Sequence, residues 1–565
     1  MPTVIVIGGG VAGMSAAHEL VERGFQVDVY ERNPKYVGGK ARSVDAPGTN
    51  KIDPQLFLPG EHGFRFFPGF YKHVTDTMKR IPVGDDQTAL DNLVVTDTMM
   101  MAQSDAKPII LPVDFPTSLK EIEEFFKGFQ AFSSELTTEE IEFFSGKIWQ
   151  LMTSCSKRFE DEYDSISWWD YTESATKSAA YQRLLSGGLT RSLVACQAQL
   201  ASTRTCGSIL LQMFYMMMDP FTRDTDRVFN APTNLAWLNP WHDYLVSKGV
   251  NYHRGTSVTA LHTLNGRISG IRFEKDGVPG SADVCADYYL MAVPVERAAN
   301  LISEDMLKVD PSLKNIIKLS PNVEWMNGIQ FYLNQEVNLN RGHTMYTGSN
   351  WALTSVSQIQ FWPQYDLKRR GNGKVVSILS VDISNWSALG NFNNRAARDC
   401  TKDEIQKEVW EQLKQELNFG GENVLCDEMV VDYYLDEDIV PMVAPMSDVM
   451  TARLSPVKQE SLKKVFNLEP LLVNQCNTWA IRPNAHTGIK NLFLASDYVK
   501  TNTDLATMEG ANEAARRAVN SILLASASDE DYCEIWEMHT PFLLKPLQMI
   551  DHLNYEKGLP WAKVL

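Results

Sequence analysis

Residues 4–13 read VIVIGGGVAG, a short β-branched run that leads directly into a glycine-rich turn. A helical pattern follows over 14–23, and a second strand pattern, VDVY at 27–30, leads to Glu31. Strand, glycine turn, helix, strand and acid, in that order, are the context that gives a G-x-G-x-x-G match its meaning. The stretch therefore predicts a dinucleotide-binding βαβ unit at the start of an α/β fold.

Each residue of the turn meets a different demand of a bound dinucleotide. Gly8 permits the tight turn out of the strand, Gly10 lets a pyrophosphate approach the backbone, and Gly13 lets the helix pack near the sheet. Val11 and Ala12 open the helix, whose free N–H groups and partial positive charge suit phosphate oxygens. We therefore expect all five residues at the cofactor.

A second binding segment is predicted immediately after the second strand. Glu31 is placed to accept hydrogen bonds from a ribose diol, and an acid there disfavours the 2′-phosphate of NADP. The run GGKAR at 38–42 joins two glycines, Gly39 among them, to the cations Lys40 and Arg42. Bare backbone followed by positive charge suits a loop that folds over a pyrophosphate.

The segment 31–42 resembles the Glu…Gly-Gly-Arg segment of the flavin amine oxidase and carotenoid desaturase superfamily. Members of that superfamily bind FAD, not NAD, in this half of the fold. The resemblance places Lys40 and Arg42 near the pyrophosphate or the ribityl chain, with lysine at 40 where arginine is commoner. It also adds Arg32 and Gly39 to the expected cofactor contacts.

The far end of the chain supplies a matching block. The runs NLFLASDY at 491–498 and ATMEGANEAA at 506–515 resemble the family pattern N-L-F-L-A-G-D … S-M-E-G-A-x-x-S-G. There the helix N-terminus points at the flavin pyrimidine ring, where its dipole would stabilise negative charge. Ser496 stands where glycine is usual, and 513–514 read Glu-Ala where Ser-Gly is usual. The resemblance assigns these residues to the cofactor: Asp497, Met508, Glu509 and Gly510.

A third segment, 245–258, resembles the family's stretch that brings a valine backbone, here Val258, to the adenine. The runs after it predict a hairpin that turns at Asn265-Gly266, followed by a strand within 286–294. These segments together predict an interleaved two-domain fold of the flavin amine oxidase type, with a Rossmann-like FAD-binding domain and an α+β substrate domain.

The two predicted domains alternate along the chain. The FAD-binding domain is expected to comprise 1–75, 228–300 and 475–525. The substrate domain is expected to comprise 76–227, mainly helical, and 301–474, sheet plus helices. Residues 526–565 are left as a C-terminal arm. Amphipathic patterns predict helices and apolar runs predict strands in the substrate domain: helices near 118–132 and 138–153, strands at 325–333 and 375–384.

The stretch PGEHGFRFFPGFY, 59–71, is similar to the G-x-H-x-F-x-G-x-Y loop of carotene desaturases and hydroxysqualene dehydroxylase-like proteins. It is less similar to the loop of true amine oxidases. In the family this loop runs along the flavin, which assigns Gly60, Glu61 and His62 to the cofactor. His62 and Arg65 are the candidate catalytic residues, because either could face substrate or flavin. A structural role for His62 is the alternative.

A set of large apolar side chains has two interpretations. They could line a long apolar tunnel, or they could pack as core. At 10% aromatic residues overall, core packing is favoured residue by residue. The set comprises Trp168, Trp169, Trp237, Trp241, Trp325, Trp351, Phe361, Trp362 and the cluster Met213–Met218.

Three functions compete. The favoured one is an FAD-dependent desaturase, dehydrogenase or dehydroxylase that passes hydride from an apolar isoprenoid-like substrate to flavin N5. The second is a flavin amine or amino-acid oxidase that makes an imine and hydrogen peroxide. It needs a polar anchor from Arg65, Arg204 or Arg482, although ion pairing is the favoured role of each. The third is a non-catalytic FAD-binding protein with a structural or regulatory partner.

Composition narrows the class of protein and its surroundings. The net charge of −17 would repel nucleic acid, so we expect no nucleic-acid partner. Eight scattered cysteines without CxxC or metal spacing favour reduced thiols in a cytoplasmic protein and no metal site. No apolar run approaches the ~20 residues of a membrane span. The fold begins at residue 3, so no signal peptide is expected.

The remaining expectations concern cofactor attachment and partners. FAD is expected to be non-covalent, because no histidine or cysteine lies within the C-terminal block near Asp497. An apolar substrate favours peripheral docking on a membrane through an apolar patch. For 526–565 we rank a packing arm first, a homodimer contact second and a membrane element third.

Overall fold

A computed structural model describes residues 1–104, 107–112, 136–188, 196–218, 226–280, 283–337, 339–442 and 464–562. The helix predicted near 118–132 lies outside the described residues. Two sheets and a layer of helices account for most of the described chain.

Five parallel strands form the nucleotide sheet, which contains the predicted βαβ unit. In spatial order they are Asn251–Arg254, Gln26–Glu31, Thr3–Ile7, Tyr288–Met291 and Leu492–Leu494. The strands Thr3–Ile7, Tyr288–Met291 and Leu492–Leu494 are apolar and largely buried, as suits parallel strands covered on both faces, whereas the edge strand Asn251–Arg254 is polar. The strands come from the beginning, middle and end of the chain, and they confirm the predicted α/β class.

Two helices pack on the nucleotide sheet and bring the two chain ends together. Helix Val11–Glu22 follows the glycine turn and contacts helix Met508–Ala525. A Cβ at Gly13 would lie 1.9 Å from the carbonyl oxygen of Gly8, so only glycine permits this approach. Gly24 has φ +76°, a left-handed conformation that reverses the chain toward the second strand.

The predicted hairpin follows strand Asn251–Arg254 of the nucleotide sheet. Strand Thr256–Leu264 pairs antiparallel with Arg267–Lys275. The turn residues Asn265 and Gly266 have φ +52° and +74°, as an Asn-Gly hairpin turn requires. The hairpin is therefore confirmed, with strands longer than those expected.

Seven strands form the substrate sheet, whose neighbours are antiparallel except for the pair Gly342–Tyr346 and Thr98–Ala102. In spatial order they are Val430–Leu435, Asn327–Leu333, Ser377–Ile383, Leu353–Ser357, Gly342–Tyr346, Thr98–Ala102 and Ile109–Pro112. The strands predicted at 325–333 and 375–384 are confirmed, and every residue of both is buried. Their continuous burial explains why they read as apolar runs.

Helices cover the rest of the substrate side. Helix Thr138–Thr153 confirms the prediction at 138–153 and begins at a capping box between Thr137 and Glu140. Helix Thr203–Met218 contacts it. The other α-helices of six or more residues in the described part are His73–Met78, Asn239–Ser247, Val295–Leu301, Glu304–Val309, Lys314–Leu319, Lys402–Leu417 and Lys545–Glu556.

The C-terminal arm packs on this helical layer. Helix Lys545–Glu556 contacts helix Thr138–Thr153. Asp551 is buried and lies 3.0 Å from Nη2 of buried Arg158. This buried ion pair fixes helix Lys545–Glu556 to the short helix Ser156–Arg158, because either charge alone would be costly to bury. Within the described residues, no helix has both the length and the apolar character needed to cross a membrane.

Candidate functional site

A cavity of about 990 Å³ lies between the nucleotide sheet and the substrate sheet. This volume is within the range of roughly 300–1,000 Å³ typical of ligand sites. Its cofactor wall is formed by the lining residues within 7–42, 256–259 and 496–508. Its substrate wall is formed by the lining residues within 62–71 together with His343, Thr354 and Asp382.

Most of the residues predicted from sequence line this cavity. They are Gly8, Gly10, Val11, Ala12, Glu31, Arg32, Gly39, Lys40, Arg42, His62, Arg65, Val258, Asp497 and Met508. The other predicted residues lie behind the lining: Gly13, Gly60, Glu61, Glu509 and Gly510.

Glu31 is held by backbone donors at the end of the second strand. Its Oε2 accepts the N–H of Gly9 at 2.8 Å, and its Oε1 accepts the N–H of Asn33 at 2.6 Å. Burial raises the pKa of Glu31, and these two hydrogen bonds oppose the rise. Each oxygen retains a further lone pair, which suits a ribose diol. Gly9, which sequence reasoning passed over, thus orients the acid.

The start of helix Val11–Glu22 presents bare backbone to the cavity. Gly10 is its N-cap and provides no side-chain cap, so the first N–H groups of the helix remain available to an anion. Gly39 has φ +56°, and a Cβ there would lie 3.1 Å from the Cα of Gly10. The two glycines therefore let two backbone segments face each other closely at the predicted pyrophosphate position.

The three predicted cations all bind acceptors later in the chain, at 437–438 and 469–470. Arg32 pairs with Glu469, and the Nζ of Lys40 donates to the carbonyl oxygen of Pro470. Arg42 donates to Asp438 at 3.0 Å and also bonds the Gly39 carbonyl oxygen at 2.9 Å. The cations consequently tie the two domains together as well as facing the cavity.

His62 lies within an acidic cluster that the sequence analysis did not identify. Its Nδ1 is 2.7 Å from Asp436 and 3.6 Å from Asp438. Burial alone would lower the pKa of His62, but the charges and hydrogen bonds of the two aspartates outweigh it and raise the pKa. His62, Asp436 and Asp438 place ligand-type atoms within 4.8 Å of one another. The guanidinium of Arg42 already supplies a cation to this cluster.

Arg65 lines the cavity and is anchored by the loop before it. Its Nε and Nη2 donate to the carbonyl oxygens of Ala41 and Lys40 at 3.1 and 2.7 Å. Burial lowers the pKa of Arg65, while Glu61 and Asp382 oppose this. The guanidinium therefore lies between the cofactor wall and the substrate wall.

Gly60 and Glu61 serve the packing behind this loop. A Cβ at Gly60 would lie 2.6 Å from the ring of Tyr434, so glycine is required there. Glu61 accepts the backbone N–H and the hydroxyl of Thr233 at 3.1 Å. Burial raises the pKa of Glu61 to about 7, although Arg65 and Thr233 oppose the rise.

Glu509 and Gly510 also have structural partners. The Glu509 carboxylate caps helix His73–Met78 by accepting the N–H groups of Lys72, His73 and Val74 at 2.8–2.9 Å. A Cβ at Gly510 would lie 2.7 Å from the carbonyl oxygen of Leu505. The helix start still faces the cavity through Met508, whereas the Glu509 side chain points away from it.

Ser496 and Asp497 follow the last strand of the nucleotide sheet, and both line the cavity. Ser496 has φ +143°, a conformation that strongly favours glycine. The backbone geometry thus explains why the family uses glycine at this position. The carbonyl oxygen of Asp497 accepts a hydrogen bond from Arg482 at 2.9 Å.

The substrate wall contains polar groups that no motif indicated. Asp382 and His343 are buried, and Asp382 Oδ1 and His343 Nε2 have no hydrogen-bond partner among the described residues. Burial raises the pKa of Asp382 to about 7, with Arg65 opposing, and lowers the pKa of His343 to about 4. The only sequence signal was a single acid at the end of the apolar run SILSVDI, 377–383.

The large aromatic side chains pack mainly as core, as the sequence analysis favoured. Among the described lining residues there is no tryptophan. Five of the predicted set are almost fully buried in the core: Trp168, Trp237, Trp241, Trp351 and Phe361. Met213 is the member of the set that lines the cavity within the described chain. The side chains of 216–218 are not described.

Two of the three candidate polar anchors are structural. Arg204 pairs with Asp504 and lies over the ring of Trp479. Arg482 lies 3.4 Å from the same Asp504 carboxylate and also bonds the Asp497 carbonyl oxygen. Neither lines the cavity. The ion-pair role favoured for them is confirmed.

Comparison with known proteins agrees with this geometry. A family model for flavin containing amine oxidoreductases matches residues 11–523. Zeta-carotene desaturase of Zea mays is 42% identical over 88 residues, which cover 15% of this chain and 13% of that protein. The 4,4'-diaponeurosporene oxygenase of Staphylococcus aureus is 22% identical over 323 residues, which cover 53% of this chain and 60% of that protein. The matches thus cover only part of the length of these relatives.

Solved structures share the fold of this chain over nearly its whole length, at low sequence identity. Wild-type putrescine oxidase superposes with a TM-score of 0.59 at 11% identity, covering 93% of this chain and 99% of that one. Cyclohexylamine oxidase of Brevibacterium oxydans has a TM-score of 0.57 at 14% identity, covering 94% and 100%. The predicted two-domain fold is therefore confirmed.

Proposed function

The chain belongs to the flavin-containing amine oxidoreductase family, and from that premise we propose that it holds FAD non-covalently and oxidises an apolar isoprenoid or lipid-like substrate. A flavin cofactor and oxidoreductase activity follow from the family. The choice of FAD, its mode of attachment and the substrate class are the proposed parts.

The cofactor wall supports FAD through its spacing of acceptors and donors. Glu31 offers acceptors for a ribose diol, and the uncapped start of helix Val11–Glu22 offers N–H donors for the pyrophosphate. Asp497 and the N-terminus of helix Met508–Ala525 lie at the other end of the chain yet line the same cavity. FAD bound there would supply a hydride acceptor at flavin N5.

Non-covalent attachment is supported by the lining. No cysteine occurs among the described lining residues, and the histidines there are His62 and His343. His62 is engaged by Asp436 and Asp438.

The observation that carries the substrate class is the apolar character of the cavity away from the cofactor wall. Its lining there includes Phe64, Phe66, Phe70, Ile209, Met213 and Leu472. Such a surface buries a hydrocarbon chain favourably, and aromatic faces can stabilise developing positive charge. The structural ion pairs of Arg204 and Arg482 leave few polar anchors for an amino acid.

The test is anaerobic mixing of the FAD-loaded protein with isoprenoids and, separately, with amines. We expect isoprenoids to bleach the visible flavin absorbance and amines to leave it unchanged. Met213→Glu should abolish bleaching with flavin retained, because a charge would enter the apolar wall. Met549→Glu is the matched control, since Met549 is 62% exposed outside the cavity. Bleaching by amines alone would overturn the proposal.

Amine oxidation is the second candidate, and one observation favours it. Asp382 places a carboxyl group in the cavity wall, where a protonated amine could contact it. Peroxide release with amines, together with flavin bleaching, would support this alternative over the first.

A further inference from the structure

Two buried polar atoms of the substrate wall lack a protein partner. Asp382 Oδ1 and His343 Nε2 have no hydrogen-bond partner among the described residues, although both side chains line the cavity. Buried polar groups in folded proteins are nearly always hydrogen-bonded, so unpartnered polar atoms in side chains that line a cavity indicate a ligand or water that completes them. Phe64 and Phe66 supply apolar lining beside these atoms, and His62 and Arg65 are further polar side chains of the same wall.

The strand register places these groups on one side of the substrate sheet. Asp382 is directly opposite Thr354, and Thr354 is directly opposite Met345. His343 is two residues before Met345, so it shares that face because alternate residues of a strand point the same way. The three polar residues therefore lie on one face of the sheet and form a polar strip beside Met345, and all three line the cavity.

The loop at 62–71 packs over this strip. A Cβ at Gly63 would lie 2.8 Å from Asp382 Oδ1, and the ring of Phe64 lies 5.2 Å from the ring of His343. Gly328 is opposite Asp382 on the adjacent strand, on the side away from Thr354. A Cβ at Gly328 would lie 2.9 Å from the Cα of Gly63. Glycine at both positions lets the backbone pack directly against the Asp382 carboxyl on the side of the cavity wall.

A pure hydrocarbon would fit this strip poorly. It would displace water from Asp382 and His343 and offer no hydrogen bond in return, which costs binding free energy. A hydroxyl group both donates and accepts, so it can complete either group.

We propose that the substrate is an isoprenoid alcohol, whose hydroxyl group hydrogen-bonds to Asp382 and Thr354 with His343 beside them. This inference rests on the proposed function and adds a polar group to the apolar substrate. Asp382 and Thr354 become specificity-determining residues, because a site built to bind a hydroxyl group rejects the analogue that lacks it.

The charge state of the strip agrees with an uncharged partner. Burial raises the pKa of Asp382 to about 7 and lowers the pKa of His343 to about 4. His343 is therefore neutral near neutral pH, and the Asp382 carboxyl can donate or accept. Neither group provides the strong fixed charge that a carboxylate or an ammonium ligand would select.

The experiment measures binding of farnesol and of farnesene, a hydrocarbon with the same number of carbon atoms, to the FAD-loaded protein by calorimetry in detergent micelles. We expect farnesol to bind at least about tenfold more tightly. Asp382→Leu removes the carboxyl at similar volume, so the ratio of the two dissociation constants should fall to about one. Thr354→Val should lower the ratio less, because it removes one hydroxyl and keeps the shape.

Ser355→Ala is the matched control, since Ser355 follows Thr354 on the opposite face and bonds Tyr346. Its ratio should equal that of the wild type. Equal binding of farnesol and farnesene by the wild type, or an unchanged ratio in both variants, overturns the inference. If isoprenoids still bleach the flavin in that case, the proposed function stands without it. If neither isoprenoid binds, the proposed function fails and the inference falls with it.

Discussion

The cofactor wall and the substrate wall each contain a buried acid, and the two acids are held in different ways. On the cofactor wall, Glu31 accepts one backbone N–H group at each oxygen. On the substrate wall, Asp382 Oδ1 has no partner among the described residues. Burial raises the pKa of both groups. The backbone N–H groups of Asn33 and Gly9 oppose the rise at Glu31, and that of Phe64 opposes it at Asp382.

This difference separates two kinds of binding site. Backbone donors are fixed by the fold, so Glu31 is oriented before any ligand arrives. The hydrogen bonding of Asp382 Oδ1 depends on the ligand in the cavity, and the protonation of the carboxyl group depends on pH. The cofactor wall is therefore preorganised, whereas the substrate wall is completed by its ligand.

The largest expected effect tests whether the cofactor wall needs the close approach of its first helix. Gly13→Ala would place a Cβ 1.9 Å from the Gly8 carbonyl oxygen, so the helix must move away from the turn. We expect loss of nearly all bound flavin and destabilisation by about 3 kcal/mol or more. The flavin-to-protein absorbance ratio and urea unfolding measure the two effects.

Gly146→Ala is the matched control for that variant. Gly146 also lies inside a helix, but a Cβ there meets nothing within 4 Å. The free energy of unfolding should rise by about 0.5–1 kcal/mol with flavin content unchanged. Similar behaviour of the two variants would show that the close approach at Gly13 is unimportant.

The second-largest expected effect tests whether the preorganised Glu31 carboxylate binds the cofactor. Glu31→Gln removes the charge that holds the N–H groups of Gly9 and Asn33 and reduces the acceptors available to the cofactor. The dissociation constant of FAD should rise roughly 30- to 100-fold, since charged hydrogen bonds contribute about 2–3 kcal/mol. Glu336→Gln, at an exposed position, is the control and should leave FAD binding unchanged. Unchanged FAD binding in Glu31→Gln would refute the assigned role.

The same contrast explains which parts of the site could be predicted from sequence. The glycine turn and Glu31 belong to one local unit of about thirty residues, so spacing alone placed them together. Local spacing was also sufficient for the strands at 325–333 and 375–384, because both are continuously buried. The role of the Glu509 carboxylate as a cap of another helix could not be predicted, because a sequence pattern locates a backbone position and does not show what the side chain bonds.

The polar strip could not be predicted in that way. His343, Thr354 and Asp382 come from separate strands, and only the register of the sheet makes them neighbours. Register depends on long-range pairing, which no short motif encodes. The acidic cluster around His62 was missed for the same reason, since Asp436 and Asp438 lie far along the chain from it.

The third effect tests the pH response of the substrate wall. The pKa of Asp382 is raised to about 7, so the folded state binds this proton more tightly than the unfolded state, where the pKa is about 3.9. Its contribution to stability is therefore greatest at low pH and is lost as the pH rises toward about 7. Asp382→Asn does not titrate and should escape this loss.

Urea unfolding of both proteins at about pH 5 and about pH 8 measures the difference. The stability of Asp382→Asn relative to wild type should increase by on the order of 2 kcal/mol over that interval. Asp243→Asn is the control, because the Asp243 side chain is 81% exposed. A relative stability that does not change with pH would mean that Asp382 is solvated like an ordinary surface acid.

The smallest effect concerns a strained residue of the preorganised wall. Ser496 has φ +143°, a conformation that costs a residue with a side chain about 1 kcal/mol or more. Ser496→Gly should raise the free energy of unfolding by about 1 kcal/mol, because the relieved strain exceeds the added chain entropy of glycine. Ser320→Gly should instead lower it by about 0.5–1 kcal/mol, since Ser320 has an ordinary φ of −56°. Opposite signs for the two substitutions would locate strain at the cofactor wall, and equal signs would show that the serine is accommodated there without cost.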